Sequence, residues 1–126
     1  MKIVKEYADY IATFSKTHWL VITTKNRLSI ARARRIMERL IKKFGIRTYF
    51  WIAEPHQEGG FHIHSCIDTK AHTTRIKTEI ERMSAGGRTQ VDEWKFTKEF
   101  RGEQYLSKMV GQECVDYDLN QEVEST

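Results

Sequence analysis

Two stretches rich in β-branched and aromatic residues, 47–53 and Phe61–Ile67, flank a short loop that contains a proline and two glycines. This pattern predicts a β-hairpin. Side chains alternate between the two faces of a strand, so His62 and His64 are expected on one face. The opposite face would carry Phe61, Ile63 and Ser65.

Glu54 follows the first of these strands and would lie opposite or diagonal to His62, on the face that carries His64. Two imidazoles and one carboxylate form a three-ligand site for a divalent cation with open positions. This donor set suits Mn²⁺, Zn²⁺ or Co²⁺ and binds Mg²⁺ less tightly. His56 and Glu58, in the loop, are competing third ligands.

The composition is typical of a globular protein with one folded domain. The chain has 126 residues, of which 40% are hydrophobic and 30% charged. It contains no apolar run of membrane-spanning length and no signal-peptide core, so we expect a cytoplasmic protein without membrane association. Cys66 and Cys114 fit no zinc-ligand spacing and are expected to be reduced.

Apolar periodicity predicts an α+β fold with a largely antiparallel sheet. Four helices are expected. They lie at residues 3–14, along an apolar stripe from Ile36 to Phe44 that ends at Gly45, from Thr73 or Thr74 to Gly86, and at 102–112. Strands are expected at 19–24, at the two arms of the hairpin and at 89–96.

Charge is unevenly distributed along the chain, whose formal net charge is +4. The segment 25–47 is strongly basic, which favours a nucleic-acid partner or, equally, a solvated helix face. The segment 113–126 carries acids and no Lys or Arg, and we expect a frayed acidic tail that can shield a basic groove, after a folded domain at 1–112. The candidate nucleic-acid contacts are Lys25, Arg27, Arg32, Arg34, Arg35 and Arg39.

Tyr105 and Lys108 are three residues apart, hence on one face of the last predicted helix. Tyr105 is either a core residue or a nucleophile, whose phenol has a pKa of about 10 and ionises more readily beside a cation. Tyr49 and Tyr117 are the fallback nucleophiles. At most one of the three tryptophans, Trp19, Trp51 and Trp94, is expected to stack on bases rather than join the core.

Three segments in this order resemble the motifs of the HUH endonucleases. They are Leu20-Val-Ile-Thr-Thr24, Glu54 with Gly60-Phe-His-Ile-His-Ser65, and Tyr105-Leu-Ser-Lys108. The resemblance spans about 20–108 and is nearest to the rolling-circle replication initiators (Rep proteins) of small single-stranded DNA viruses, plasmids and some archaeal viruses.

This resemblance implies a central antiparallel sheet of about five strands flanked by helices, the HUH nuclease fold, which is related to ferredoxin-like and RRM-like folds. It implies that Glu54, His62 and His64 hold Mn²⁺ or Mg²⁺. Tyr105 would attack the scissile phosphate, leaving a 5′-phosphotyrosine and a free 3′-hydroxyl that can prime synthesis or rejoin the strand. Lys108 matches the lysine one turn after the family's tyrosine.

The expected partners are single-stranded DNA or a DNA hairpin at an origin, with host or viral replication proteins in the host cytoplasm. No Gly-x-x-x-x-Gly-Lys-Ser/Thr loop is present, so the sequence lacks the ATPase motif of larger initiators. A single motif tyrosine makes a homodimer plausible. The alternatives are an HUH transposase or relaxase, and a non-enzymatic nucleic-acid-binding domain whose histidines hold a structural metal or none.

Overall fold

The computed structural model describes residues 5–13, 15–23, 30–55, 61–84, 88–93 and 116–122. They form three helices and five strands, in the order α1 Lys5–Ala12, β1 His18–Thr23, α2 Ile30–Phe44, β2 Tyr49–Pro55, β3 Phe61–Ile67, α3 Thr73–Ser84, β4 Arg88–Glu93 and β5 Asp116–Asn120. The predicted helix at 102–112 lies outside the described residues, as do positions 94–96 of the strand expected at 89–96.

The five strands form one antiparallel sheet in the order β4-β1-β3-β2-β5. The run from β1 to β4, with α2 and α3 as crossovers, has the connectivity and strand order of a ferredoxin-like fold, and β5 extends the sheet beside β2. The predicted α+β class with a central antiparallel sheet of about five strands is therefore confirmed.

Helix α2 is the longest described helix, and its sequence explains both its packing and its end. Its apolar stripe buries Ala33, Ile36, Met37 and Leu40. Gly45 follows it with φ 60°, a left-handed conformation that favours glycine. The amide of Ile46 donates to the carbonyl of Ile41 at 2.9 Å, and the amide of Gly45 to that of Lys42 at 3.3 Å, so the helix ends in a Schellman motif.

The sheet separates two groups of buried side chains. On one face, inward residues of the strands pack against α2 and α3 around Leu20, Trp51 and Ile63. On the other face, Ile11 of α1 packs with a smaller group of residues, Trp19, Phe50, Ile52 and Cys66. We call these the helical face and the α1 face. Along both strands of the hairpin, successive side chains alternate between the helical face and the α1 face, as predicted.

The expectation of a frayed acidic tail is wrong for residues 116–120, which form edge strand β5. Tyr117 and Leu119 alternate with acids and pack against the buried residues of the α1 face. The acids point to the helical face, where Asp116 binds Arg34 of α2. Period-two alternation and a specific ion pair therefore order this segment.

Candidate metal centre

Strands β2 and β3 carry the three predicted metal ligands on the α1 face, near the end of the sheet where β2 finishes and β3 begins. In the β2–β3 register, Glu54 lies directly opposite His62, and Ile52 lies opposite His64. The nearest oxygen of Glu54, Oε2, is 3.6 Å from His64 Nε2, and each of these side chains is 20% exposed. The His62 and His64 rings are 6.0 Å apart between centroids. The hairpin thus forms the juxtaposition expected from the sequence.

The His64 ring packs beside a buried aromatic residue of the α1 face. The Trp19 ring, itself 1% exposed, lies 6.4 Å from the His64 ring with an interplanar angle of 40°. Among the described residues, His64 Nδ1 is buried and accepts or donates no hydrogen bond. Packing against Trp19 therefore fixes the position of an imidazole that still has unused hydrogen-bonding and ligating capacity.

Glu54 and His64 suit one divalent cation, although the described side chains do not form a complete cage. Two atoms 3.6 Å apart can each lie about 2.1 Å from a single ion. Within the described ranges, no three His, Cys, Asp or Glu side chains are grouped closely enough to hold a metal together. A third ligand requires a side-chain rotation of His62 or a donor outside those ranges. The competing loop ligands His56 and Glu58 lie outside them.

Cys66 follows His64 on the same face but does not have the chemistry of a ligand. Its side chain is buried among the α1-face residues, and this burial raises the pKa of the thiol to about 12. The thiolate form that binds metals is therefore scarce at neutral pH. Cys114 lies outside the described residues.

The fallback nucleophiles differ in position. Tyr117 of β5 lies opposite Ile52, which lies opposite His64, so the three residues form one row across the α1 face. Tyr49 packs on the helical face, and its hydroxyl donates to Asp118 at 3.4 Å. Burial raises the pKa of Tyr49, which disfavours its phenolate. Tyr49 also lies on the opposite face of the sheet from the three candidate ligands.

The predicted nucleophile Tyr105 and its partner Lys108 lie outside the described residues, as do Trp94, Lys25 and Arg27. The other two tryptophans are core residues, in keeping with the expectation that at most one of the three stacks on bases. Trp19 is 1% exposed and Trp51 is fully buried, so neither can present a ring face to a nucleotide.

Arg34 has a structural role that its sequence context does not reveal. Its Nε and Nη2 donate to the two carboxylate oxygens of Asp116, both at 2.8 Å, and Nη2 also donates to the carbonyl of Tyr117 at 3.1 Å. The guanidinium lies 5.2 Å above the centroid of the Trp51 ring. Arg34 thus links α2 to β5, and its role as a DNA contact stays a prediction. The partners are 82 positions apart, and only the alternating pattern of β5 could have indicated this pair.

The remaining predicted contacts of α2, namely Arg32, Arg35 and Arg39, are exposed on the helical side of the sheet. The sheet therefore lies between them and the metal centre. The sequence does not indicate that the arginines and the candidate metal ligands lie on opposite sides of the sheet, because this depends on which face of the sheet α2 packs against.

No protein-family model and no curated protein matches the chain. The crystal structure of the hypothetical protein ORF119 from Sulfolobus islandicus rod-shaped virus 1 is similar, with a TM-score of 0.54 and 14% sequence identity. The match covers 84% of this chain and 89% of the viral one. At this identity the likeness shows a shared fold. Of the helices that the structure describes, none is long and apolar enough to cross a membrane.

Proposed function

We propose that this protein is a metal-dependent endonuclease of the HUH type, which nicks and rejoins single-stranded DNA through a covalent tyrosine intermediate, as in rolling-circle initiation. One observation supports this proposal above the others. Glu54 lies directly opposite His62 and 3.6 Å from His64, on one face of the neighbouring strands β2 and β3. The motif resemblance had placed the same three residues together as metal ligands.

The three ligands differ in what they contribute. Glu54 supplies the negative charge and the two imidazoles supply neutral nitrogen donors, a set that fits Mn²⁺ or Mg²⁺. A bound ion would act as a Lewis acid on a non-bridging oxygen of the scissile phosphate. Trp19 packs beside the His64 ring and would help to orient its donor nitrogen towards the ion.

Tyr105 is the proposed nucleophile. Its phenolic oxygen forms a bond to phosphorus while the bond from phosphorus to the 3′ oxygen breaks, and the phenolic proton is lost to solvent as the leaving 3′ oxygen gains one. The 3′-hydroxyl can later attack the phosphotyrosine and release Tyr105, which restores the strand. Lys108 would stabilise the phenolate or neutralise phosphate charge. Because the bond energy is kept in the phosphotyrosine, rejoining needs no nucleotide cofactor.

The proposal is tested by incubating a labelled pool of single-stranded oligonucleotides, some with hairpins, with the protein and Mn²⁺. We expect cleavage that leaves a free 3′-hydroxyl and a blocked 5′ end, and that EDTA abolishes. Tyr105→Phe should reduce it by about 10³-fold or more, the usual consequence of removing a nucleophile. Tyr10→Phe is the matched control, because Tyr10 is 46% exposed on α1.

Two results contradict the proposal. Cleavage that persists in EDTA would exclude the metal centre. The absence of cleavage over the whole pool, with DNA binding retained, would indicate a nucleic-acid-binding domain without nuclease activity.

A further inference from the structure

Three arginines of α2 form a stripe on the surface of the helical layer. Arg32, Arg35 and Arg39 follow one another at intervals of three and four residues, so they project from one side of the helix, and all three are exposed. Together with Ile36 and with Met83 of α3 they line a cleft of about 170 Å³. We call this the arginine cleft.

Two of the three guanidinium groups of the arginine cleft, those of Arg35 and Arg39, are not neutralised by the part of the chain that the structure describes. No carboxylate there forms an ion pair with Arg35 or Arg39. Two acids of the same helical layer have other partners, since Glu38 pairs with Arg34, and Glu79 pairs with Lys43 at 2.8 Å. Exposed guanidinium groups in a row are suited to phosphate oxygens, which they can bind with two parallel hydrogen bonds.

The arginine cleft and the metal centre lie at the same end of the sheet, on opposite faces. Strand β1 runs towards Thr23, which is paired with His62 on one side and with Arg88 on the other. Helix α2 begins after this end of β1, and α3 finishes there with Met83 shortly before β4 starts at Arg88. A linear polymer bound at the metal centre therefore needs only to pass around this end of the sheet to reach the cleft.

We propose that the arginine cleft binds the sugar-phosphate backbone of DNA outside the cleavage site, so that the substrate wraps around one end of the sheet. This inference rests on the proposed function for the identity of the polymer. It adds a second binding surface, one that holds DNA without taking part in the chemistry. The ligand chemistry is that of phosphodiesters, from a single strand or from the duplex arm of a hairpin.

The test compares two double variants with the same change of charge. Arg35→Gln with Arg39→Gln alters the cleft, while Lys42→Gln with Lys77→Gln alters exposed lysines of the same helical layer that do not line it. The dissociation constants for a labelled single strand of about 30 nucleotides and for a hairpin of the same length are measured over a range of salt concentrations. Thermal unfolding checks that both variants are folded.

For the cleft variant we expect the affinity for DNA to fall about tenfold at 0.1 M salt. Because two phosphate contacts are lost, the slope of log K against log salt should become shallower by about 1.4 for a single strand or about 1.8 for a duplex. The probe with the larger loss identifies the form of DNA that the cleft binds. The lysine variant should change the slope much less. Equal changes in the two variants would overturn the proposal, because they would reflect net charge alone.

Kinetics separate a remote contact from a catalytic one. In the cleft variant, the rate of adduct formation at saturating DNA should match that of the native protein, while the DNA concentration for half-saturation rises about tenfold. A lower saturating rate with unchanged half-saturation would place the arginines in the reaction and overturn the inference. If the native protein forms no adduct, the proposed function fails, and the salt slopes still decide whether the cleft binds DNA.

Discussion

His64 is the residue on which the candidate metal centre most depends. Its ring lies between the carboxylate of Glu54, at 3.6 Å, and the indole of Trp19. The alternation of β3 made its face predictable from the sequence, and the hairpin loop made Glu54 predictable as its neighbour. The contact with Trp19 was not predictable, because it depends on the register between β1 and β3.

We predict that His64→Ala removes metal-dependent cleavage and leaves DNA binding nearly unchanged. The loss of one of three ligands should weaken Mn²⁺ binding by about 10–100-fold or more. Cleavage rates at several Mn²⁺ concentrations, with DNA affinity measured in EDTA, test this prediction.

The matched control for this variant is His72→Asn. His72 precedes α3, and its Nδ1 accepts from the amide of Thr74 at 3.2 Å, so asparagine removes an imidazole while keeping a favourable helix cap. Unchanged Mn²⁺ dependence in His64→Ala would show that the metal is held elsewhere.

At the scale of secondary-structure elements, β5 is the element that differs from the sequence prediction. The acids of residues 113–126 indicate a solvated tail, whereas the alternation of Tyr117 and Leu119 with those acids is typical of an edge strand. Helices and strands with strong apolar periods, such as α2 and β3, were predictable, because their own side chains determine the buried face. The place of β5 depends on partners far along the chain, Arg34 on one face and Ile52 on the other.

We predict that Asp116→Asn lowers the free energy of unfolding by about 1 kcal/mol at pH 7. The hydrogen bonds from Arg34 lower the pKa of Asp116. The value is small for a bidentate pair because the Arg34 side chain is 38% exposed and solvent screens the interaction.

The effect of this substitution should depend on pH in a defined direction. Because the pKa is lowered on folding, the stabilisation is complete above the unfolded-state value of about 3.9 and is lost as the pH falls through the lower folded-state value. The native protein and Asp116→Asn should therefore converge in strong acid, as measured by urea unfolding. Asp118→Asn is the control, since Asp118 is 4.0 Å from Arg34, and an equal loss there would contradict a specific role for Asp116.

At the scale of the whole molecule, the sheet separates the face that carries the candidate metal ligands from the face that carries the exposed arginines of α2. Strand order and register place Glu54, His62 and His64 on the α1 face, whereas α2 carries its arginines on the helical face. The sequence predicted both sets of residues as functional. Their separation became apparent only in the fold, because the faces of a sheet are assigned by the crossovers that pack on them.

The measurement that tests the central claim most directly is the identification of the residue that DNA becomes attached to. The protein is incubated with single-stranded DNA and Mn²⁺, and the adduct is digested with protease and nuclease and mapped by mass spectrometry. We predict a nucleotide on Tyr105, formed equally well by Tyr117→Phe. A nucleotide on Tyr117, which shares the α1 face with His64, would move the nucleophile to β5, and no adduct on any residue would contradict the nuclease proposal.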